Sequence, residues 1–339
     1  MQRLPLCAGD HGGARPQQQD CAVARPGRPI HGTGLRLPGA GGRGDEQRLR
    51  HPGVMAHCLF MDSSLQALRA WQQIDPLLQS RRKRRVTIVG AGATGVELAA
   101  ELSRVSQRMH SHNATAKLEI VLVEAADRIM PAAPLSLSGK THRALLEQGI
   151  DVRVNTRIER AQQGQLITAD GERLASDLQV WAAGIKCADW LRELDGLETN
   201  RLNQLKVSAT LQTSRDPNIF VIGDSAECPQ PDGSFAPARA QAANQAACHL
   251  AQQFKRLFNG RSLQPLVFRD GGVMIAIGHN NAVGALMNNR VVVSGRMVRR
   301  LYNTIFRLHQ QVLFGWGRVT SLIILRRLKC LLNPHYTRV

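Results

Sequence analysis

The sequence predicts an α/β chain organised on a Rossmann-type crossover, and three observations carry that expectation. Residues 86–102 read as a buried strand, a glycine turn and a helix in immediate succession. Strands and helices then alternate to about residue 154. A second buried strand, Asp216-Pro-Asn-Ile-Phe-Val-Ile-Gly223-Asp224, ends in Gly-Asp.

The first stretch is Val86-Thr-Ile-Val-Gly90-Ala-Gly92-Ala-Thr-Gly95-Val-Glu97. Gly90 allows the tight turn off the strand, Gly92 lets backbone approach a pyrophosphate, and Gly95 lets the helix pack on the strand. The helix N-terminus adds N–H groups and a partial positive charge for the phosphates. Such glycines are weak evidence alone, but strand before and helix after give the context a dinucleotide requires. The next strand, Leu118 to Glu124, ends in an acid. A carboxylate there accepts from the adenosine ribose hydroxyls and repels a 2′-phosphate, which favours NADH over NADPH. The polar loop Ser111–Ala116 lengthens the spacing, Arg128 stands near enough to soften the discrimination, and a solvated strand-end glutamate is the alternative. Glu97, in the first helical turn, either favours the helix dipole or lies close enough to orient a nicotinamide.

Helix is expected from Thr94 to about Met109 and from Ser138 to Gln148, and strand at Ile150–Val154. Short strands at 158–161, 165–168 and 172–174 around Asp170-Gly171 form an antiparallel meander. The strand Leu178-Gln-Val-Trp-Ala-Ala-Gly184 closes the unit, with small residues where a bulky one would hold a cofactor away.

The chain has 339 residues, a net charge of +18 and a pI near 10.8. That excess calls for an anionic partner, and nucleic acid, anionic lipid and phosphorylated cofactor all qualify. The charge concentrates in Arg81–Arg85 and after Arg290, without the interleaved aromatics or the modules of nucleic-acid binders. Seven cysteines without a CxxC pair support neither a zinc site nor a disulfide framework and point to a reducing compartment. No run of about eighteen apolar residues is present, and the N-terminus lacks a signal-peptide core.

Residues 1–53 are rich in Gly, Pro, Arg and Gln and lack periodicity, which predicts a leader without structure. Sliding the codons allowed for Leu35 through Gly53 by one base gives a reading compatible with YDYLVLAVGVTNSDFGTPG, an ordinary buried strand and glycine turn. The expectation is an out-of-frame leader replacing a flavoprotein segment, with a preceding strand and glycine loop absent; a natural low-complexity extension is the alternative.

Together, GAGATGVE, VWAAGIK and the Gly223-Asp224 strand end resemble the two-dinucleotide-binding flavoproteins, in which an NAD(P)H domain is inserted into an FAD domain. Within that group Pro52-Gly-Val, His57-Cys-Leu-Phe-Met-Asp62 and above all Ala240-Gln241-Ala-Ala-Asn-Gln245 resemble the type II NADH dehydrogenases, single-subunit NADH:quinone oxidoreductases. The resemblance implies a leader over 1–53, a remnant of the FAD domain over 54–82, the NADH domain over 83–186, the C-terminal half of the FAD domain over 187–290 and a tail over 291–339. It implies NADH and FAD as cofactors, with Gly90, Gly92, Gly95 and Glu124 around the first, Gly223 and Asp224 on the flavin ribityl chain, and Gly184 leaving room for a cofactor. Gln241 and Gln245, four apart on one helical face, border a quinone, unless they line a solvated face. The family's N-terminal glycine motif for the FAD pyrophosphate is not found before residue 54.

The tail from Arg296 to Phe314 puts Val298, Leu301, Tyr302, Ile305, Leu308 and Val312 on one helical face and most of its arginines elsewhere. A break at Gly315-Trp-Gly317 and a second helix from Val319 to Leu332 complete an interfacial hairpin suited to an anionic leaflet. Packing of that face on the protein's own core or a homodimer partner is the alternative. The expected protein is a peripheral, non-pumping enzyme on the cytoplasmic face of the plasma membrane, needing no metal and no nucleic acid. The rivals are another flavin reductase of the same fold and an inert NADH-binding remnant.

Overall fold

A computed structural model describes residues 23–24, 51–61, 63–113, 116–184, 186–194, 196–278, 281–286 and 291–332. Cys7, Cys21, the 25–50 stretch of the leader, Asp62 and the tail beyond Leu332 lie outside the described residues.

Two parts of the leader depart from the expectation of no structure. Val23–Ala24 (β1) pairs antiparallel with Phe220 and Val221. His51–Gly53 are also part of the fold. The His51 ring lies 5.0 Å from that of Trp181, and Ala161 N–H donates to Pro52 O at 2.9 Å. Gly53 has φ +79°, and a Cβ there would fall 2.0 Å from Ala161 O, so glycine is required at this step.

Val54–His57 (α1) leads to Leu59–Phe60 (β2), followed by Ser64–Leu78 (α2), whose Ser63 cap accepts from Gln66 N–H at 3.2 Å. Arg85–Val89 (β3), Ala93–Asn113 (α3), Glu119–Val123 (β4), Leu135–Glu147 (α4) and Asp151–Arg153 (β5) form the alternating unit. Helix α3 runs four residues past the expected end. No Gly or Pro interrupts Ser111–Asn113, and the Ser111 hydroxyl donates to Gln107 O one turn back. The meander is Ile158–Gln162 (β6), Gln165–Thr168 (β7) and Arg173–Ala175 (β8), and Leu178–Trp181 (β9) returns to the main sheet.

That sheet has the order β2-β9-β3-β4-β5, with every pairing parallel. Val86, Ile88, Leu122 and Val180 are completely buried on the face covered by helices, and Val89, Val121, Val123 and Trp181 are buried on the face covered by the β6–β8 meander, as the apolar runs of a doubly covered parallel sheet require. Full burial of each such side chain contributes about 1.5–3 kcal/mol. Residues 59–60 and α2, read from sequence as a remnant of the FAD domain, thus lie on the edge and face of the nucleotide sheet.

The second unit has its own core around Phe220, Leu191, Leu205, Leu211 and Leu250. Its strands Leu205–Lys206 (β10), Phe220–Val221 (β11) and Ala226–Glu227 (β12) are two residues each, and Ala240–Phe258 (α5) packs on the Gly223 turn. Gly272–Ala276 (β13), Ala282–Leu286 (β14) and Val291–Gly295 (β15) then form an antiparallel sheet that the sequence reading did not anticipate. Its Ile275, Val283 and Ala285, with Ile277 just beyond β13, join the core of the nucleotide unit. Residues 291–295 are therefore sheet rather than tail, because their β-branched run finds a partner strand.

Arg296–Leu332 (α6) is helical on both sides of Gly315, which breaks it at φ 76°, ψ 160°. The expected apolar face is divided. Val298 is buried and Tyr302 and Ile305 are half-buried, whereas Leu301 and Leu308 are exposed. Among the described residues no helix is long and apolar enough to cross a membrane.

Candidate functional site

The β3–α3 corner is built of backbone. Gly90 has φ +100° and lies against the β9 end, where an added Cβ would meet Ala183 N at 2.6 Å and Ala182 C at 2.8 Å. At Gly95 a Cβ would fall 1.9 Å from Gly90 O, so glycine alone brings the helix this close to the turn. Gly92 is different. Nothing stands within 4 Å of its added Cβ, and the space above it opens outward. Two glycines are thus required by the fold, while Gly92 is exposed on the turn. Ala182 N–H donates to Val89 O at 2.8 Å, which brings the small-residue run ending at Gly184 (φ +78°) beside the corner.

Glu124 lies just beyond β4, and its carboxylate is already engaged with the corner. Oε2 accepts from Ala91 N–H at 2.7 Å and Oε1 from Ala126 N–H at 3.1 Å. Two backbone donors orient the acid, and its remaining lone pairs can accept from a diol. Arg128, weighed from sequence as a softening cation, donates instead to Pro131 O at 2.6 Å.

The second corner is the Gly223–Asp224 turn. Gly223 has φ +76°, and an added Cβ would sit 3.7 Å from the Ala243 methyl of α5. The turn is tied by its backbone, since Asp224 O accepts from Gln204 Nε2 at 2.8 Å and from the Cys187 thiol, while its side chain is exposed.

The two glutamines of α5 fare differently. The Gln245 amide closes on the backbone of Arg269, its Nε2 donating to Arg269 O at 2.8 Å and its Oε1 accepting from Arg269 N–H at 3.0 Å. The Gln241 amide lies against Gly271, where a Cβ would be 2.4 Å from Nε2, and its Oε1 is sealed from solvent without a partner. Arg239, at the N-cap of α5, pairs with Asp270 at 2.8 Å, and its guanidinium sits 5.5 Å from the Phe268 ring centroid. Asp270 also accepts from Gly272 N–H. Sequence reading quoted Arg239 only as a landmark and missed Asp270, although Asp270-Gly-Gly272 carries a turn signal.

Residues 269–276 thus connect the corners. Their N-terminal end holds Arg239, Gln241 and Gln245, and their C-terminal end reaches α3, where Ala276 N–H donates to Glu97 Oε1 at 2.9 Å. Arg299 and Tyr302 of α6 act on the Glu97 carboxyl electrostatically. Burial pushes its pKa up, and the Ala276 N–H, Arg299 and Tyr302 oppose that rise. Glu97, expected beside a nicotinamide, is therefore held by the C-terminal sheet.

Among the described residues no group of three His, Cys, Asp or Glu side chains could hold a metal ion. Cys58 and Cys228 are buried free thiols, pushed by burial to about 12 and about 11.

A strand-turn-helix corner with a second Gly-Asp corner defines a pyridine-nucleotide flavin oxidoreductase. The sequence pattern of the pyridine nucleotide-disulphide oxidoreductase family matches residues 40–247. A type II NADH:quinone oxidoreductase of Haemophilus influenzae is 37% identical over 311 residues, 83% of this chain and 70% of that protein. One from Staphylococcus epidermidis is 30% identical over 59% of this chain, which spans half the length of that relative. Among solved structures, NDH2 of Plasmodium falciparum in complex with NADH superposes with a TM-score of 0.71 at 15% identity, covering 86% of this chain and 76% of that one. At that identity the likeness shows the fold alone. The chain belongs to the type II NADH:quinone oxidoreductase family.

Proposed function

We propose that this chain binds NADH at the β3–α3 corner and oxidises it for a quinone, with FAD between the two. The observation that carries the reading is the unfilled space over Gly92 beside the doubly anchored Glu124 carboxylate. A pyrophosphate fits where the backbone is bare, and a ribose diol fits on an acid held by two N–H groups. The same acid repels a 2′-phosphate, so NADH is preferred to NADPH.

Gly223 and Asp224 would hold the flavin's ribityl chain, with Gly184 leaving room beside it. Bound FAD supplies a two-electron carrier between a hydride donor and a quinone. The protein's own work is orientation and exclusion of water. Glu97 orients the nicotinamide carboxamide from α3. Gln241, with an unsatisfied carbonyl oxygen, borders the quinone. Gln245, its amide taken by Arg269, shapes the same wall through the backbone it holds.

The exposed apolar residues Met297, Leu301, Leu308, Phe314, Trp316, Leu322, Ile324 and Leu325, with exposed Arg300 and Arg318 among them, support binding of α6 to an anionic membrane surface on the cytoplasmic face. A homodimer through the same helix is the competing use of that surface.

The test is full-length protein incubated with FAD, assayed for NADH oxidation with and without a short-chain quinone. Quinone-dependent oxidation with NADPH at least tenfold poorer is expected. NADH binding without any quinone-dependent turnover would reduce the protein to a nucleotide-binding remnant.

A further inference from the structure

The loop over residues 268–272 follows the first two turns of α5 in register. Arg269 takes the amide of Gln245, Asp270 pairs with Arg239, and Gly271 lies under the amide of Gln241. Gln241 and Gln245 are four apart, a rise of about 6 Å along the helix. Gly271 and Arg269 are two apart, and two residues of chain span up to about 7 Å. The spacings match, so the two amides meet alternate residues of one passing segment.

Asp270 divides its two oxygens between these partners. Oδ2 takes the Arg239 guanidinium at 2.8 Å, and Oδ1 accepts from Gly272 N–H at 2.8 Å, which closes an Asx turn with Gly271 at its centre. The guanidinium also lies 5.5 Å from the Phe268 ring centroid, and Phe268 N–H donates to Gln230 Oε1 at 2.8 Å. One carboxylate therefore ties the residue that opens α5 to the residue on which Gln241 lies. Gly271 has no left-handed φ that would call for glycine. The atoms an added Cβ would meet within 4 Å both belong to Gln241, Nε2 at 2.4 Å and Cδ at 3.7 Å. Its bare backbone thus serves a side chain rather than a turn.

A quinone ring presents carbonyl acceptors, so Nε2 is the end of the Gln241 amide that can serve it. Gln245 has both ends of its amide on Arg269. We propose that Arg239 and Asp270 are positioning residues for Gln241, holding the bare Gly271 where the donor end of that amide lies against it. The inference rests on the proposed placement of Gln241 at the quinone.

The contact is read first without any cofactor, by NMR of protein carrying isotopically labelled glutamine. The side-chain resonances missing from Gln241→Ala identify Gln241. Asp270→Asn keeps an oxygen for Gly272 N–H and loses the charge that holds Arg239, whereas Gly271→Ala adds a single carbon. Each should shift the Gln241 resonances, and resonances unmoved by Asp270→Asn overturn the positioning role.

The use of the contact is read on the full chain incubated with FAD. Asp270→Asn, Arg239→Gln and Gly271→Ala should each raise the KM for a short-chain quinone about 2- to 10-fold, with the KM for NADH unmoved. Arg239→Lys keeps the charge and should stay nearer the wild type than Arg239→Gln. Gly271→Ala should melt no lower than the wild type, a split that a purely structural tether does not produce. In a Gln241→Ala background it should add nothing to the quinone KM. If Gln241→Ala leaves the quinone KM unchanged, or no quinone turnover is found, the placement at the quinone fails and the resonances alone decide the contact. If Gln241→Ala raises that KM while Asp270→Asn and Gly271→Ala do not, the positioning role fails.

Discussion

The glycine corner and the glutamine helix are both site walls in this protein, yet they are made differently. At the corner the shape is set by what is missing, since a single added carbon at Gly95 would sit 1.9 Å from a carbonyl oxygen. On α5 the shape is set by what neighbours do with two amides, and they treat identical residues unequally. Gln245 is closed on the Arg269 backbone, while Gln241 keeps a buried oxygen without a partner. The demand on Gly95 comes from a residue five positions away, whereas the glutamine wall depends on a loop 24 residues away in sequence.

The largest effect should come at the corner. Gly95→Val forces the helix off the strand, which should cost about 3 kcal/mol or more, lower the melting temperature by roughly 6 °C or more, and abolish NADH binding in a fluorescence titration. A variant that melts like the wild type would remove the steric argument. Gly92→Ala sharpens the contrast. Its Cβ meets no protein atom, so stability should stay within about 0.5 kcal/mol while NADH affinity falls at least tenfold. Equal losses of stability in the two variants would break the division between fold-required and ligand-required glycines.

Next in size is Gln245→Ala. It removes two solvent-accessible hydrogen bonds to the Arg269 backbone, and should destabilise by about 0.5–1.5 kcal/mol in chemical denaturation. Gln241→Ala loses no such pair, so it should leave stability nearly unchanged and raise the KM for quinone instead. If the two variants exchange these behaviours, the unequal roles assigned to the amides are wrong. Glu124→Gln should narrow the preference for NADH over NADPH about tenfold or more by removing the charge that meets a 2′-phosphate.

A smaller effect follows from pH. The folded-state pKa of Glu97 is raised above its unfolded value, so the folded chain binds more protons in that window. Stability then falls as pH rises from the unfolded to the folded pKa. Glu97→Gln should remove this slope from melting curves recorded across weakly acidic pH. Least of all, native-state alkylation mapped by mass spectrometry should modify Cys248, which is exposed, and spare Cys58 and Cys228. Rapid labelling of Cys58 would contradict its burial and its high pKa.

Much of the nucleotide unit was legible because its information is local. Strand, turn and helix at residues 85–113 follow from apolar runs and glycines, and Gln165–Thr168 falls where the Asp170-Gly171 turn places it. The second unit was less legible. Strands of two residues leave almost no periodicity, and the 272–295 sheet is irregular in composition until its partners are known. The tail illustrates the same limit. Helical periodicity groups Val298, Leu301, Tyr302 and Leu308, but only contact with β14 decides that Val298 turns inward and Leu301 outward.

By itself the chain's sequence determined the crossover, its glycine turn and the acid after its second strand, because apolar runs, turn glycines and a strand-end carboxylate are patterns of neighbouring residues. Only the tertiary structure decided what Glu97, Gln241 and Gln245 face. Those side chains answer to Ala276, Gly271 and Arg269, which reach them from elsewhere in the chain. Side-chain direction is settled by whichever donors and volumes arrive from elsewhere, and no local pattern records that arrival.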